Sequence, residues 1–167
     1  MTLAAFNQLP EQERKENLAK CCGATAWIEK MMQRFPFADK ATLLKEAEQL
    51  WWQCTAPDWL EAFTHHPRIG SRETMAQKFS STAQWAADEQ KGSSQATVAI
   101  IDALLLGNKA YEEKFGFIFI VCATGKSATE MLSVLQARLP NEKENETRIA
   151  AAEQSKITAL RLEKLLA

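Results

Sequence analysis

Apolar residues recur at intervals of three and four along most of this chain, and that spacing confines it to amphipathic helices packed on one another. The clearest run spans 40–52, where Leu43, Leu44, Ala47, Leu50 and Trp51 share a side and Asp39 stands ready as N-cap. From Leu3 to about Gly23 the pattern predicts a short helical entry and then a helix ending at Gly23, a residue suited to a C-cap. The next helix, 24–35, is stopped by Pro36. A further helix starts near Pro57, buries Trp59, Leu60 and Phe63, and ends before His66-Pro67, because proline disfavours helical geometry at the residue before it. The stretch 77–90 is weakly helical and is broken at Gly92. A strong helix follows to about Tyr111, with Val98, Ile101, Leu104, Leu105 and Asn108 along one face. Ser127 and Glu130 have capping-box spacing and open a helix to Leu139; Asn141 with Glu144 repeats the device for the terminal helix. Only Phe117–Val121 is strand-like. The expectation is an all-α, single-domain helical bundle over 1–167, with one short extended segment near 117–123.

A length of 167 residues suits one continuous core. The formal charge of −1 supplies no field to hold a polyanion, so no nucleic acid is expected as partner. The longest apolar runs fall far short of a bilayer span, so no membrane is expected either. The N-terminus has no basic stretch leading into an apolar run, and Leu165-Leu166-Ala167 is not a peroxisomal tripeptide; a cytoplasmic location is the expectation. Cys21, Cys22, Cys54 and Cys122 show no CxxC spacing and fit small core residues in a reducing compartment.

Four constellations carry candidate chemistry. The first is His65-His66-Pro67-Arg68-Ile69-Gly70, which contains the only two histidines. Pro67 stiffens the turn and presents the His66 imidazole away from a helix face, where it can give and take a proton near neutral pH. The plainer alternative is a histidine that ends a helix and bonds a carbonyl. Zinc is disfavoured, because adjacent residues of an extended segment point in opposite directions and the cysteines are not grouped. The second is Asp88-Glu89-Gln90, a carboxylate and carboxamide able to orient an imidazole or read a polar ligand, or else a solvated helix end. The third, 116–127, imitates a phosphate loop through Gly125-Lys126-Ser127, but Ile120 occupies the position of the required first glycine, which excludes nucleotide binding. Its backbone groups are instead suited to a planar, amide-rich ligand. On the last helix, Ile149, Glu153, Ile157, Arg161 and Leu165 form an i, i+4 row. A guanidinium within that row calls for a carboxylate from protein or ligand, or snorkels to the helix edge.

In their order, these pieces resemble the 2-oxo-4-hydroxy-4-carboxy-5-ureidoimidazoline (OHCU) decarboxylases, which act third in the conversion of urate to allantoin. The resemblance runs through Cys22-Gly23 and Trp27, Arg34-Phe35-Pro36-Phe37, Glu61-Ala62-Phe63, His66 to Gly70, and Glu89-Gln90. It continues through Asn108, Tyr111, 114–120, Arg138-Leu139, Glu146, Glu153, Lys156-Ile157 and Arg161-Leu162. The His-Pro-Arg-Ile-Gly and Phe-Gly-Phe-x-Phe-Ile segments are specific in combination.

The resemblance implies an all-α homodimer that uses no cofactor and no metal, and a carboxy-lyase acting on a small ureidoimidazoline to give (S)-allantoin. It implies His66 as acid–base residue and Glu89 as its catalytic partner. Pro67 would neighbour the substrate, Gln90 would contact ring or ureido amides, and Arg161 would hold a carboxylate or carbonyl. The strip Phe119, Ile120, Val121, Cys122 and Ala123 would bind through its backbone. Three departures stand out. Arg34-Phe35-Pro36-Phe37 replaces a frequent Arg-Pro-Phe, and Ser93 follows Gly92 where leucine is common. Ala86 replaces a frequent serine, which leaves that position only backbone contact with substrate. The competing expectations are a non-catalytic helical interaction module and another small-molecule lyase on the same scaffold.

Overall fold

The computed structural model describes residues 1–68 and 94–167; the expected helix at 77–90 and the Gly92 break lie outside them. The described residues form eight helices and no strand, so the protein is all-α. They are α1 (Leu3–Gln8), α2 (Glu11–Cys21), α3 (Thr25–Met32), α4 (Lys40–Trp52), α5 (Ala56–Thr64), α6 (Ser94–Phe115), α7 (Ala128–Arg138) and α8 (Lys143–Leu165). The chain divides into two compact units, one of residues 1–66 with 147–167 and the other of residues 67–146. No described helix is long and apolar enough to cross a membrane.

Helix starts follow local chemistry. Asp39 accepts from the Thr42 amide at 2.7 Å, and Ser127 accepts from the Glu130 amide at 3.1 Å. Thr55 and Asp58 make a reciprocal capping box. Such caps contribute about 0.5–2 kcal/mol each. Helix α3 has no side-chain cap of its own. Glu61 of α5 supplies one across space, accepting from the Thr25 amide at 2.7 Å and the Thr25 hydroxyl at 2.8 Å. The last helix starts one residue later than Asn141 as N-cap suggested. The Asn141 amide instead donates to Glu146 at 2.9 Å, a stronger partner because that carboxylate is fully buried.

In the first unit, Phe6, Leu18, Trp27, Met31, Leu43, Phe63, Ala150, Ala151 and Leu162 are almost wholly removed from water. Buried indoles need acceptors, and each finds a helical carbonyl with a spare lone pair. Trp27 donates to Ala47 at 3.0 Å, Trp51 to Ala151 at 2.8 Å and Trp59 to Trp51 at 3.2 Å. These bonds fix α3, α5 and α8 against α4. Asn7 holds the 33–39 connection, exchanging hydrogen bonds with the Phe37 amide at 3.0 Å and carbonyl at 2.8 Å.

In the second unit, α6 packs on α7 around Leu104, Tyr111, Phe115 and Leu135. Gly107 permits the approach, since a Cβ there would lie 2.6 Å from a Leu135 methyl. Val98, expected on the buried face, is 44% exposed; the inward line runs Thr97, Ile101, Leu104, Tyr111 instead. The 117–123 segment is irregular rather than a strand. Gly116 (φ 80°) and Gly125 (φ 76°) bracket it in the left-handed region, where glycine carries no penalty.

Candidate active site

Helix α5 ends at Thr64, and His65 and His66 close it with backbone bonds to Ala62 and Phe63 at 3.1 and 3.3 Å. The half-buried His66 ring then meets α8. Its Nε2 lies 2.5 Å from Oε1 of Gln154, a carboxamide 1% exposed. Gln154 in turn donates through its amide nitrogen to the Thr158 hydroxyl at 3.1 Å, and Thr158 donates to the Cys21 carbonyl at 3.5 Å. His65 is exposed and lies over Gly23, where a Cβ would come within 2.4 Å of its ring.

His66 and Gln154 line a cavity of about 610 Å³ that also exposes Lys20, Arg161 and Lys164. That volume suits a small-molecule ligand. Among the described residues three cations and no carboxylate line it, and that lining favours an anion. Arg161 donates to the Cys21 carbonyl at 3.4 Å, and among the described residues no carboxylate pairs with it. The Cys21 thiol is pushed up to about 11 by burial, against the opposing pull of the Arg161 charge. Burial likewise pushes Cys22 up to about 12, so both thiols are neutral at physiological pH.

The 119–123 strip belongs to the second unit and rests on a buried polar cluster. Arg138 donates to the Ile120 carbonyl at 2.7 Å and to the Glu146 carboxylate at 2.5 Å. Tyr111 donates to the same carboxylate at 2.7 Å. Burial first, and then that carboxylate, raises the tyrosine well above its ordinary pKa. The Arg138 guanidinium also lies 4.7 Å from the Phe119 ring centroid. Ile120 and Val121 are buried, while Phe119, Cys122 and Ala123 are half-buried. Lys126 turns back on the Cys122 carbonyl at 3.3 Å and Ser127 caps α7, so the Gly125-Lys126-Ser127 run serves the local fold.

Of the residues singled out in the sequence, His66 and Arg161 line one cavity. Pro67 is exposed at the start of the second unit, where Arg68 forms an ion pair with Glu112. Ala86, Glu89 and Gln90 lie outside the described residues. Sequence reasoning missed Gln154, Thr158, Lys20 and Lys164. The spacing of Gln154, Thr158 and Arg161, at i, i+4 and i+7, was the available signal. Among the described residues no group of three His, Cys, Asp or Glu is placed to hold a metal ion.

The described helices thus bring an imidazole, a buried carboxamide and three cationic side chains to one cleft. The OHCU decarboxylase family pattern matches residues 7–163, and the chain belongs to that family. It is 34% identical over 146 residues to the uric acid degradation bifunctional protein TTL of Arabidopsis thaliana, covering 87% of this chain and 45% of that protein. It is 26% identical over 166 residues to the bifunctional protein PucL of Bacillus subtilis, covering 99% of this chain and 33% of that protein. The chain thus spans less than half the length of these two relatives. A crystal structure of OHCU decarboxylase in the presence of (S)-allantoin superposes with a TM-score of 0.73 at 34% identity, covering 91% of this chain and 97% of that one.

Proposed function

We propose that this chain removes CO2 from 2-oxo-4-hydroxy-4-carboxy-5-ureidoimidazoline to give (S)-allantoin, in the breakdown of urate, as a cofactor-free carboxy-lyase. The observation that carries the reading is the His66 imidazole in a cavity it shares with Arg161, Lys20 and Lys164. Membership of the OHCU decarboxylase family supports the substrate. The substrate contains its own electron sink, a C=N bond beside the carbon that bears hydroxyl and carboxylate. As the C–CO2 bond breaks, its electron pair forms a C=C bond and the former C=N pair moves to nitrogen, which takes a proton. The resulting enol loses its hydroxyl proton, and the neighbouring carbon gains one, giving allantoin.

In this reading His66 accepts the hydroxyl proton and returns a proton to carbon from one side, which gives one enantiomer. Glu89 stabilises the imidazolium, and Arg161 neutralises the substrate carboxylate or a carbonyl. Gln90 and the backbone of 119–123 read the ring and ureido amides, with Pro67 and the Ala86 backbone as neighbours. The reading extends to one domain over 1–167, a cytoplasmic location and a homodimer.

The test couples urate oxidase and the hydrolase that follows it to this protein and records optical rotation. The parent protein accelerates formation of optically active allantoin beyond the spontaneous rate. A folded His66→Asn protein loses about 10²–10⁴ in rate, the scale of general acid–base help. Equal rates in parent and variant, or no acceleration by the parent, defeat the proposal.

A further inference from the structure

We infer that Arg138 is a positioning residue: it fixes the Ile120–Val121 peptide and so aims the Val121 N–H at an oxygen of the bound substrate. The inference rests on the decarboxylase reading for the substrate, while the geometry at the peptide stands apart from it.

Residues 117–123 belong to no helix or strand, so no regular ladder sets the planes of their peptides. At Ile120 a side chain does so instead. Arg138 Nη1 donates to the Ile120 carbonyl at 2.7 Å. The guanidinium is itself clamped, because its Nε donates to the Glu146 carboxylate at 2.5 Å and its Nη2 to the Tyr111 hydroxyl at 3.3 Å. Tyr111 and Asn141 donate to the same carboxylate at 2.7 and 2.9 Å, and the Phe119 ring lies against the guanidinium. Arg138, Tyr111 and Glu146 are all buried, so the clamp works out of water.

The Ile120–Val121 bond is trans, and in a trans peptide the carbonyl and the N–H point in opposite directions within one plane. Holding the oxygen therefore directs the Val121 N–H away from Arg138. A cation on that oxygen also polarises the peptide group and strengthens its N–H as a donor. Among the described residues no hydrogen bond takes up this N–H, and Val121 is only 8% exposed. A buried N–H needs an acceptor, and the carbonyl oxygens of a ureidoimidazoline supply one.

The test removes the guanidinium without stranding its partner. Arg138→Met combined with Glu146→Gln loses the bond to Ile120 and leaves no buried charge unpaired, so it keeps the fold. The Val121 amide proton, followed by ¹H–¹⁵N NMR, should move upfield in this variant, and (S)-allantoin should shift it less than in the parent. KM should rise about 2- to 10-fold, the scale of one hydrogen bond, with kcat within about twofold of the parent. Tyr111→Phe disturbs the same cluster but leaves Arg138 on Ile120, so it should keep the parent's KM. Arg138→Lys keeps a charge beside Glu146 but gives up the fork that serves carboxylate and carbonyl together. It should show the same rise in KM, and it serves if the double variant does not fold. An unmoved Val121 amide, or the parent's KM in the folded Arg138 variants, overturns the inference. So does a Tyr111→Phe protein whose KM rises as far, since the cluster then acts only as packing. A parent that makes no allantoin overturns the decarboxylase reading, and the Val121 signal then decides alone whether Arg138 aims that donor.

Discussion

Arg138 and Arg161 are both held by helices, yet they are treated in opposite ways. Arg138 is saturated: a buried carboxylate, the Ile120 carbonyl, the Tyr111 hydroxyl and the Phe119 ring surround it, and its side chain is 8% exposed. Arg161 is half-buried at a cavity wall, with a carbonyl at 3.4 Å and no carboxylate among the described residues. Removing charge from water is costly, and only full pairing offsets it. The first guanidinium is therefore committed to holding the fold of its unit. The second keeps part of its hydration and its capacity for an incoming anion. The contrast extends to their neighbours, since a permanent ion pair underlies the 119–123 strip while a neutral amide and hydroxyl support the imidazole.

The largest effect should come from breaking the committed pair. Glu146→Gln leaves Arg138 buried beside a neutral carboxamide and costs about 3–5 kcal/mol, measured by urea unfolding of the parent and variant. Arg138→Met combined with Glu146→Gln should recover part of that loss, because no uncompensated charge remains. An unchanged unfolding midpoint for Glu146→Gln would erase the distinction between the two arginines.

This contrast was only half visible in the sequence. Helix α4 was legible to the residue, because Asp39 and the 43–51 periodicity both act within one element. The Ser127 cap and the His66 turn were legible for the same reason. Helix α8 was not. The row drawn through Ile149 and Ile157 follows apolarity, but Ile149 is 38% exposed. The buried line instead runs through Ala150, Ala151, Gln154, Thr158 and Leu162. Small residues admit the neighbouring helix, and the polar ones satisfy groups more than 80 residues away in sequence, as His66 with Gln154 shows. Periodicity records burial by apolar side chains and is blind to a buried hydrogen-bond relay. Likewise Glu61 and Glu146, quoted above only as family landmarks, serve to cap α3 and pair with Arg138. His66 and Arg161 could be named from the sequence, but the amide that ties the ring to α8 could not.

The next effect tests the other arginine. If Arg161 is reserved for an anion, Arg161→Ala should lower kcat/KM about 10- to 150-fold, corresponding to the roughly 1.5–3 kcal/mol of a hydrogen bond to a charged group. The loss should fall mainly in KM, while unfolding free energy stays within about 1 kcal/mol of the parent, because no buried partner is stranded. Steady-state kinetics beside urea unfolding separates these outcomes. A variant that unfolds as easily as Glu146→Gln but keeps its KM would show that Arg161 is structural after all.

The smallest effect concerns proton release at high pH, which begins in a different place in each unit. Cys21 and Cys22 have folded pKa values raised by burial from 9.0 to about 11 and about 12. Below about pH 9 these thiols are protonated in folded and unfolded chains alike, and their contribution to stability is complete. Above pH 9 the unfolded chain releases protons that the folded chain retains, so stability declines until the folded pKa values are passed. The slope is about 1 kcal/mol per pH unit per thiol, or a few degrees in Tm for a chain of this length. Tyr111, shifted in the same direction by burial and by Glu146, adds its loss only above its ordinary value of 10.0. Cys22→Ala should therefore lessen the fall in Tm from about pH 9 upward, including its first segment between about pH 9 and 10, whereas Tyr111→Phe should lessen it only above about pH 10. A thermal series across that range reads both. If Cys22→Ala leaves the first segment unchanged, burial beside the histidine cleft is not what holds that thiol neutral.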